Sequence, residues 1–211
     1  MEIVSFDELP STQTYLIEQL QRGRYKAPVA VIALEQSRGI GSRNNSWKGG
    51  RGNFFASVAI SLNVLPSDLP LSSASIYFSF IMKQTLASLG ENVWLKWPND
   101  FYKNDAKVGG TITKKINDIL VCGMGINLKN SQNGYSALQC DISPETVLEN
   151  YLFALQKFPE WKQVFSEYRV EFERSRKFSV HIENYQKSLS DATLCDDGSL
   201  IIDGKKVYSL R

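Results

Sequence analysis

KVGGTITKKI (Lys107–Ile116) and ILVCGMGINL (Ile119–Leu128) flank the dipeptide Asn117-Asp118. Both runs are rich in β-branched residues, and a two-residue Asn-Asp link between such runs signals a hairpin, so the spacing predicts two adjacent antiparallel strands. Antiparallel neighbours set beside separate helices predict an α+β fold rather than a doubly wound sheet. Upstream, Ile3–Phe6 predicts a short strand, and Pro10-Ser11-Thr12 starts a helix through Tyr15, Leu16, Ile17 and Leu20 that Gly23 closes. Val29–Leu34 and Asn53–Leu62 predict strands, Leu71–Leu89 a helix stopped by Gly90, and Val93–Trp97 a return to extended chain. Downstream, Ser143-Pro144-Glu145 caps a helix through about Phe158, and Pro159-Glu160 starts another through Trp161, Phe165, Tyr168 and Phe172. After Lys177 short alternating runs, with turns at Asp196-Asp197-Gly198 and Asp203-Gly204, predict a small all-β unit. The expected units are therefore residues 1–177 and 178–211.

The 211 residues are 43% hydrophobic, enough for one well-buried core. Lys and Arg total 24 against 22 for Asp and Glu, and a net charge of +2 gives no long-range field that would draw the chain onto nucleic acid. The basic cluster Arg174-Ser175-Arg176-Lys177 lies beside Glu171 and Glu173 and predicts a solvated helix end. Cys122, Cys140 and Cys195 are odd in number and lack C-x-x-C spacing, which predicts neither disulfides nor a zinc site and fits a reducing cytoplasm. An acidic N-terminus and the lack of any run of ~18 apolar residues argue against secretion and membrane insertion.

The segments that could carry chemistry cluster around the predicted hairpin. In Lys96-Trp97-Pro98-Asn99-Asp100, Pro98 holds Trp97 extended and Asn99-Asp100 favour a turn, placing charged groups at a strand end. Lys107 follows on the next β run, and Gly109 and Gly110 leave room for a ligand against the sheet. An aromatic turn with surface lysines is the alternative. The loop Gln36-Ser37-Arg38-Gly39-Ile40-Gly41-Ser42-Arg43-Asn44-Asn45-Ser46-Trp47 could close over a phosphate or be an exposed connection. It lacks the third glycine and the following helix of a dinucleotide fingerprint, and no Walker A motif occurs. Gly123-Met124-Gly125-Ile126-Asn127 predicts a bulge or a close backbone approach by ligand, the bulge being favoured from these residues alone. Ser11-Thr12 predicts a helix N-cap whose free N–H groups also suit a polar ligand. His181 falls in the C-terminal β unit with no sequence-near partner for a hydrolase triad.

Taken in order, Ser11-Thr12, the Gln36–Trp47 loop, Gly52-Asn53-Phe54, Lys96–Asp100, Lys107–Gly110 and Gly123–Asn127 resemble a biotin–protein ligase over roughly residues 1 to 130. That resemblance implies a mixed, largely antiparallel sheet with flanking helices, like the core of class II aminoacyl-tRNA synthetases, plus a small C-terminal β-barrel. It implies that biotin and MgATP form biotinyl-5′-AMP and pyrophosphate, and that a carrier lysine then displaces AMP. In that scheme Lys107 lies between the biotin carboxylate and the α-phosphate. Ser11, Thr12 and Gln36 hydrogen-bond the biotin head, Trp47 and Asn99 lie on the nucleotide side, and Gly39–Arg43 order over the intermediate. Gln13, Gly109, Gly110, Gly125 and Asn127 complete the implied binding positions. Asp100 orients or deprotonates the incoming amine, a metal contact or a structural role being the alternatives. The family's G-R-G-R-x-G-R loop departs here to Gly39-Ile40-Gly41-Ser42-Arg43-Asn44-Asn45, so Arg43 or Arg38 is expected to replace the missing arginines.

The implied partner is the biotin carboxyl carrier protein of acetyl-CoA carboxylase or a similar biotin-dependent carboxylase, docking by strand addition. A monomer or weak homodimer is expected. The chain opens at the catalytic region with no preceding winged helix, from which a single-function ligase is expected. The rival readings are a lipoate or octanoate ligase, which shares the fold and an activating lysine, and a non-catalytic biotin- or nucleotide-binding module.

Overall fold

The structure, a computed structural model, describes residues 1–41, 46–131, 135–182 and 185–208, with the backbone alone of residues 48 and 49. Its centre is an eight-stranded sheet. The strands are β1 (Glu2–Leu9), β2 (Val29–Ile40), β3 (Ser46–Gly49), β4 (Phe54–Ser61), β5 (Trp94–Lys96), β6 (Asp100–Lys103), β7 (Ala106–Ile116) and β8 (Ile119–Ile126). The spatial order is β1-β2-β4-β8-β7-β6-β5, with β3 paired to β2. Only β1 and β2 pair in parallel; the remaining pairs are antiparallel. Asn117, at φ +52°, turns the β7–β8 hairpin as the Asn-Asp signal predicted.

Strand alternation divides this sheet into two faces. On one, Ala30 and Ile32 of β2, Phe54, Ala56, Val58 and Ile60 of β4, and Leu120, Cys122, Met124 and Ile126 of β8 pack under α2 (Ala74–Ser88), α3 (Pro144–Leu155) and α4 (Trp161–Phe172). Helix α2 buries residues on nearly every side, as a helix sandwiched between a sheet and other helices must. Each Phe or Leu buried in this layer contributes about 2 kcal/mol by removing apolar surface from water. On the other face α1 (Thr12–Gln21) covers Val29, Val31, Ala33, Ala59 and Val121 through Leu16. It covers only part of that face, and beyond its N-terminus β8 carries Gly123 and Gly125 in place of large side chains.

Three expectations are corrected. The glycine-rich segment after Gln36 is not all loop: β2 runs on to Ile40 because its backbone pairs with Glu8 and Leu9 of β1 and then with β3. Gly123 and Gly125 make no bulge, since β8 keeps unbroken register with both β4 and β7. A closed C-terminal barrel is also not formed among the described residues. Instead β9 (Ser179–Ile182) pairs with β10 (Tyr185–Ser188), and β11 (Thr193–Leu194), β12 (Leu200–Ile202) and β13 (Lys205–Val207) form a second sheet. Strands of two to four residues are too short to tilt and close on themselves. They bury Val180, Leu189, Ala192, Leu200 and Ile202 in the core that α2–α4 share with the main sheet. No described helix is long and apolar enough to cross a membrane.

Candidate active site

A cavity opens on the α1 face of the sheet, beyond the helix N-terminus, between Thr12, Gln36, Trp47 and Lys107. Its two ends differ in chemistry.

One end is uncharged. Ser11 caps α1, its Oγ accepting from the Thr14 N–H at 3.3 Å. Thr12, the first helical residue, donates to Gln36 Oε1 through both its backbone N–H (2.7 Å) and its hydroxyl (3.0 Å), and that hydroxyl also meets Ser57 Oγ at 2.9 Å. Gln13 donates through Nε2 to the Ile112 carbonyl at 3.3 Å. Four elements, α1, β2, β4 and β7, are thereby tied together by neutral hydrogen bonds, those of Thr12 buried and that of Gln13 part-buried. Such a wall offers a ligand both donors and acceptors without demanding that it carry charge.

The other end is charged. Lys107 Nζ lies 2.6 Å from Asp100 Oδ1, and Lys96 Nζ lies 4.0 Å from Asp100 Oδ2. The Lys107 ammonium also stands over the rings of Trp47 and Tyr135 at 5.9 and 5.8 Å. Lys107 and Asp100 line the cavity as an ion pair backed by Lys96, held partly out of water, where charge–charge interactions weaken less than in bulk solvent. Burial, with Asp100 and Tyr135 nearby, pushes the Tyr102 phenol up to about 12, so it stays neutral beside this cluster.

The aim of Lys107 depends on an irregularity. Phe101 of β6 faces Gly109 while Tyr102 faces Lys107, leaving Val108 as one extra residue on β7. An inserted residue reverses side-chain alternation beyond it. Val108 consequently packs in the core, and Lys107 turns to the cavity, where its Cε is 3.8 Å from the place a Cβ on Gly110 would take. Asn99 secures the turn between β5 and β6 by donating from Nδ2 to the Thr111 carbonyl.

Between the two ends the glycines of β8 hold protein rather than open space. A Cβ on Gly125 would lie 2.5 Å from Trp47 Nε1, and one on Gly123 would lie 3.2 Å from the Gln13 Cβ. The Trp47 indole therefore lies flush on the sheet, its buried N–H without a hydrogen-bond partner among the described residues.

Of the residues expected from sequence, Ser11, Thr12, Gln13, Gln36, Ile40, Gly41, Trp47, Asn99, Asp100, Lys107, Gly110 and Gly125 all line this cavity. Gly39, Gly109 and Asn127 do not. A Cβ on Gly39 would collide with the Trp47 carbonyl at 2.3 Å, and one on Gly109 with the Gly125 carbonyl at 2.6 Å, so both serve backbone packing. Asn127 is buried; it donates from its backbone to the Val108 carbonyl (2.8 Å) and from Nδ2 to the Ser136 carbonyl (3.0 Å). Ser42 and Arg43 lie outside the described residues. Arg38 is exposed, its backbone N–H bonded to the Pro10 carbonyl at 2.8 Å, and its side chain does not line the cavity. Reasoning from sequence missed Ser57, Thr111, Ile112 and Tyr135. A signal existed for Ser57, a lone hydroxyl in the apolar run Phe54–Ile60 that lies behind the cavity wall against Thr12; Tyr135 follows β8 in a stretch with no periodic pattern.

With this geometry in place, comparison with known proteins is specific. The model of the Biotin/lipoate A/B protein ligase family matches residues 5–129. The bifunctional ligase/repressor BirA of Escherichia coli is 33% identical over 127 residues, 57% of this chain but 38% of that protein, so this chain matches well under half of the relative's length. The Helicobacter pylori biotin acetyl coenzyme A carboxylase synthetase, solved with bound biotinylated ATP, is 39% identical with a TM-score of 0.93, covering 98% of this chain and 99% of that one. The biotin protein ligase of Aquifex aeolicus in complex with biotin and ATP shares the fold at 19% identity and a TM-score of 0.75, covering 100% and 96%. A sheet whose α1 face carries this two-ended cavity, matched by the family model across every strand that builds it, makes the chain a member of the biotin/lipoate A/B protein ligase family.

Proposed function

We propose that this chain is an ATP-dependent biotin–protein ligase. The observation that carries the reading is the division of the cavity into an uncharged end at Thr12, Gln13 and Gln36 and a charged end where Lys107 presents an ammonium group beside Asp100. Biotin has the same division: a neutral cyclic urea at one end and a carboxylate at the other. The Helicobacter relative, similar along nearly the whole chain and carrying biotinylated ATP, supports the same substrates here.

In the first step a biotin carboxylate oxygen attacks the α-phosphorus of ATP, and the bond from that phosphorus to the bridging oxygen breaks to release pyrophosphate. Two anions must meet, and the Lys107 ammonium stabilises the charge that develops between them. In the second step a neutral lysine amine of the carrier attacks the acyl carbon and AMP leaves. Asp100, already accepting from Lys107, is the carboxylate placed to orient that amine or receive its proton. No cluster of three His, Cys, Asp or Glu side chains that could hold a metal occurs among the described residues, so Mg²⁺ enters this scheme as the counterion of ATP. Arg43, which lies outside the described residues, or Arg38 is proposed to stand for the missing loop arginines.

The carrier is proposed to be the biotin carboxyl carrier protein or domain of a biotin-dependent carboxylase, in the cytoplasm, met by a monomer or weak homodimer. Residues 1–177 form the ligase unit in this reading, and residues 178–211 an all-β unit packed on it. The test is ATP–pyrophosphate exchange with biotin, lipoate or octanoate supplied singly. Exchange is expected with biotin alone; exchange with only lipoate or octanoate, or tight biotin binding without exchange, would refute the proposal.

A further inference from the structure

The turn Asp196–Gly198 lies far along the chain from the cavity, yet three successive backbone carbonyls in it accept from three separate parts of the protein. Asp196 O accepts from Trp161 Nε1 on α4 at 2.9 Å, Asp197 O from Ser73 Oγ just before α2, and Gly198 O from Trp97 Nε1 in the turn between β5 and β6 at 2.9 Å. The turn is also braced from within. Gly198 N–H donates to the Cys195 carbonyl at 2.8 Å, and Asp197 accepts from the Ser199 N–H at 3.1 Å and from Lys206 Nζ at 2.8 Å. Gly198 sits at φ +77°, and a Cβ on it would fall 2.5 Å from Ser73 Oγ and 3.1 Å from Ile76 Cδ1, so both its backbone and its space require glycine.

Trp97 is 1% exposed and does not line the cavity. Its indole N–H is spent on Gly198, and its backbone N–H on Ser175 Oγ at 3.1 Å. The neighbouring Lys96 ammonium lies over the Phe178 ring at 6.0 Å. The aromatic residue of the Lys96–Asp100 motif is thus a handle gripped from the C-terminal side, while Asn99 and Asp100, two and three residues on, face the cavity.

We infer that Gly198 and Ser175 are positioning residues for the reacting end of the site: by holding Trp97 they set the placement of Asn99 and Asp100, and through Asp100 that of Lys107. This rests on the reading of Lys96–Lys107 as the reacting end. A grip of this kind acts on the ATP-dependent step more than on the Thr12–Gln36 end, with which it shares no hydrogen bond among the described residues.

The test compares Trp97→Phe, Ser175→Ala and Gly198→Ala in the full chain, measuring exchange kinetics with ATP and, separately, biotin affinity by calorimetry without nucleotide. Loss of one buried hydrogen bond to the turn should lower kcat/KM for ATP in exchange about tenfold. Biotin affinity, which the neutral end sets in part, should fall by clearly less than exchange does. Unchanged exchange in folded Trp97→Phe or Ser175→Ala, or biotin affinity falling by the same factor as exchange, would overturn the inference. Should Gly198→Ala fail to fold, Trp97→Phe decides, because it keeps the buried ring and removes only the N–H. Absence of biotin-dependent exchange in the unsubstituted protein would instead overturn the function itself, an outcome distinct from loss confined to the variants.

Discussion

The two ends of the cavity are built by opposite means. At the α1 end the polar side chains are neutral, and Thr12 and Gln13 bond across elements: Thr12 to Gln36 and Ser57, Gln13 to the Ile112 carbonyl. At the β6–β7 end Lys107 and Asp100 form an ion pair on the cavity wall, with Lys96 4.0 Å from Asp100. A neutral, hydrogen-bonded wall selects a ligand by shape and hydrogen bonds and contributes equally to ground and transition states. An ammonium group such as that of Lys107 contributes most when negative charge builds up beside it. The difference teaches that binding and catalysis are separable here, and substitutions should separate them.

The largest expected effect breaks the charged end. Lys107→Ala removes the cation and leaves Asp100 without its 2.6 Å partner; exchange should fall roughly 10²–10³-fold, the scale of losing one preorganised electrostatic group. A steady-state assay that finds exchange within a few-fold of wild type would remove Lys107 from the mechanism. Gly125→Ala lies between the ends and should injure both, since the new methyl group meets Trp47 Nε1 at 2.5 Å and forces the indole off the sheet. Overpacking of that kind costs about 1–3 kcal/mol, to be seen as a lower Tm together with weaker biotin binding and slower exchange. Thr12→Val addresses the neutral end alone. It keeps the side-chain volume and deletes the hydroxyl shared by Gln36 and Ser57, so the KM for biotin should rise about tenfold with kcat unchanged.

The smallest effect is a control away from both ends. Glu171, buried on α4 and 2.8 Å from Lys83, has its carboxyl raised above the ordinary value, chiefly by burial, with the Lys83 hydrogen bond and charge pulling the other way. The folded protein therefore holds this proton more tightly than the unfolded chain. Its contribution to stability is greatest below the unfolded-chain value and is lost as pH rises from there through the folded-state value. Glu171→Gln lacks this titration, so its Tm relative to wild type should climb with pH across that window. Thermal melts in which the difference shrinks with rising pH would contradict the assignment.

Much of the charged end was legible in the sequence, because a lysine, a proline-set turn and a second lysine on a β run are local signals. The β7–β8 hairpin was legible for the same reason: Asn117 needs only its own conformation to mark the turn. What sequence concealed depends on pairing. Residues 35–40 carry charge and glycine and look like loop, yet they are strand because β1 and β3 supply hydrogen-bond partners. The extra residue at Val108, which turns Lys107 to the cavity, is visible only once β6 is laid beside β7. The β8 glycines suggested a bulge, whereas their use is to seat Trp47 and Gln13, side chains 78 and 110 positions away from Gly125 and Gly123 in sequence. The expected barrel failed because strand length and the pull of an existing core, rather than local propensity, decide closure.

The most direct measurement is the exchange rate of Lys107→Ala at saturating biotin. If the ends divide binding from catalysis as described, added biotin does not restore the rate, while the same excess restores Thr12→Val to the wild-type kcat. Recovery of Lys107→Ala to near the wild-type rate would show that Lys107 only binds biotin, and would contradict the account.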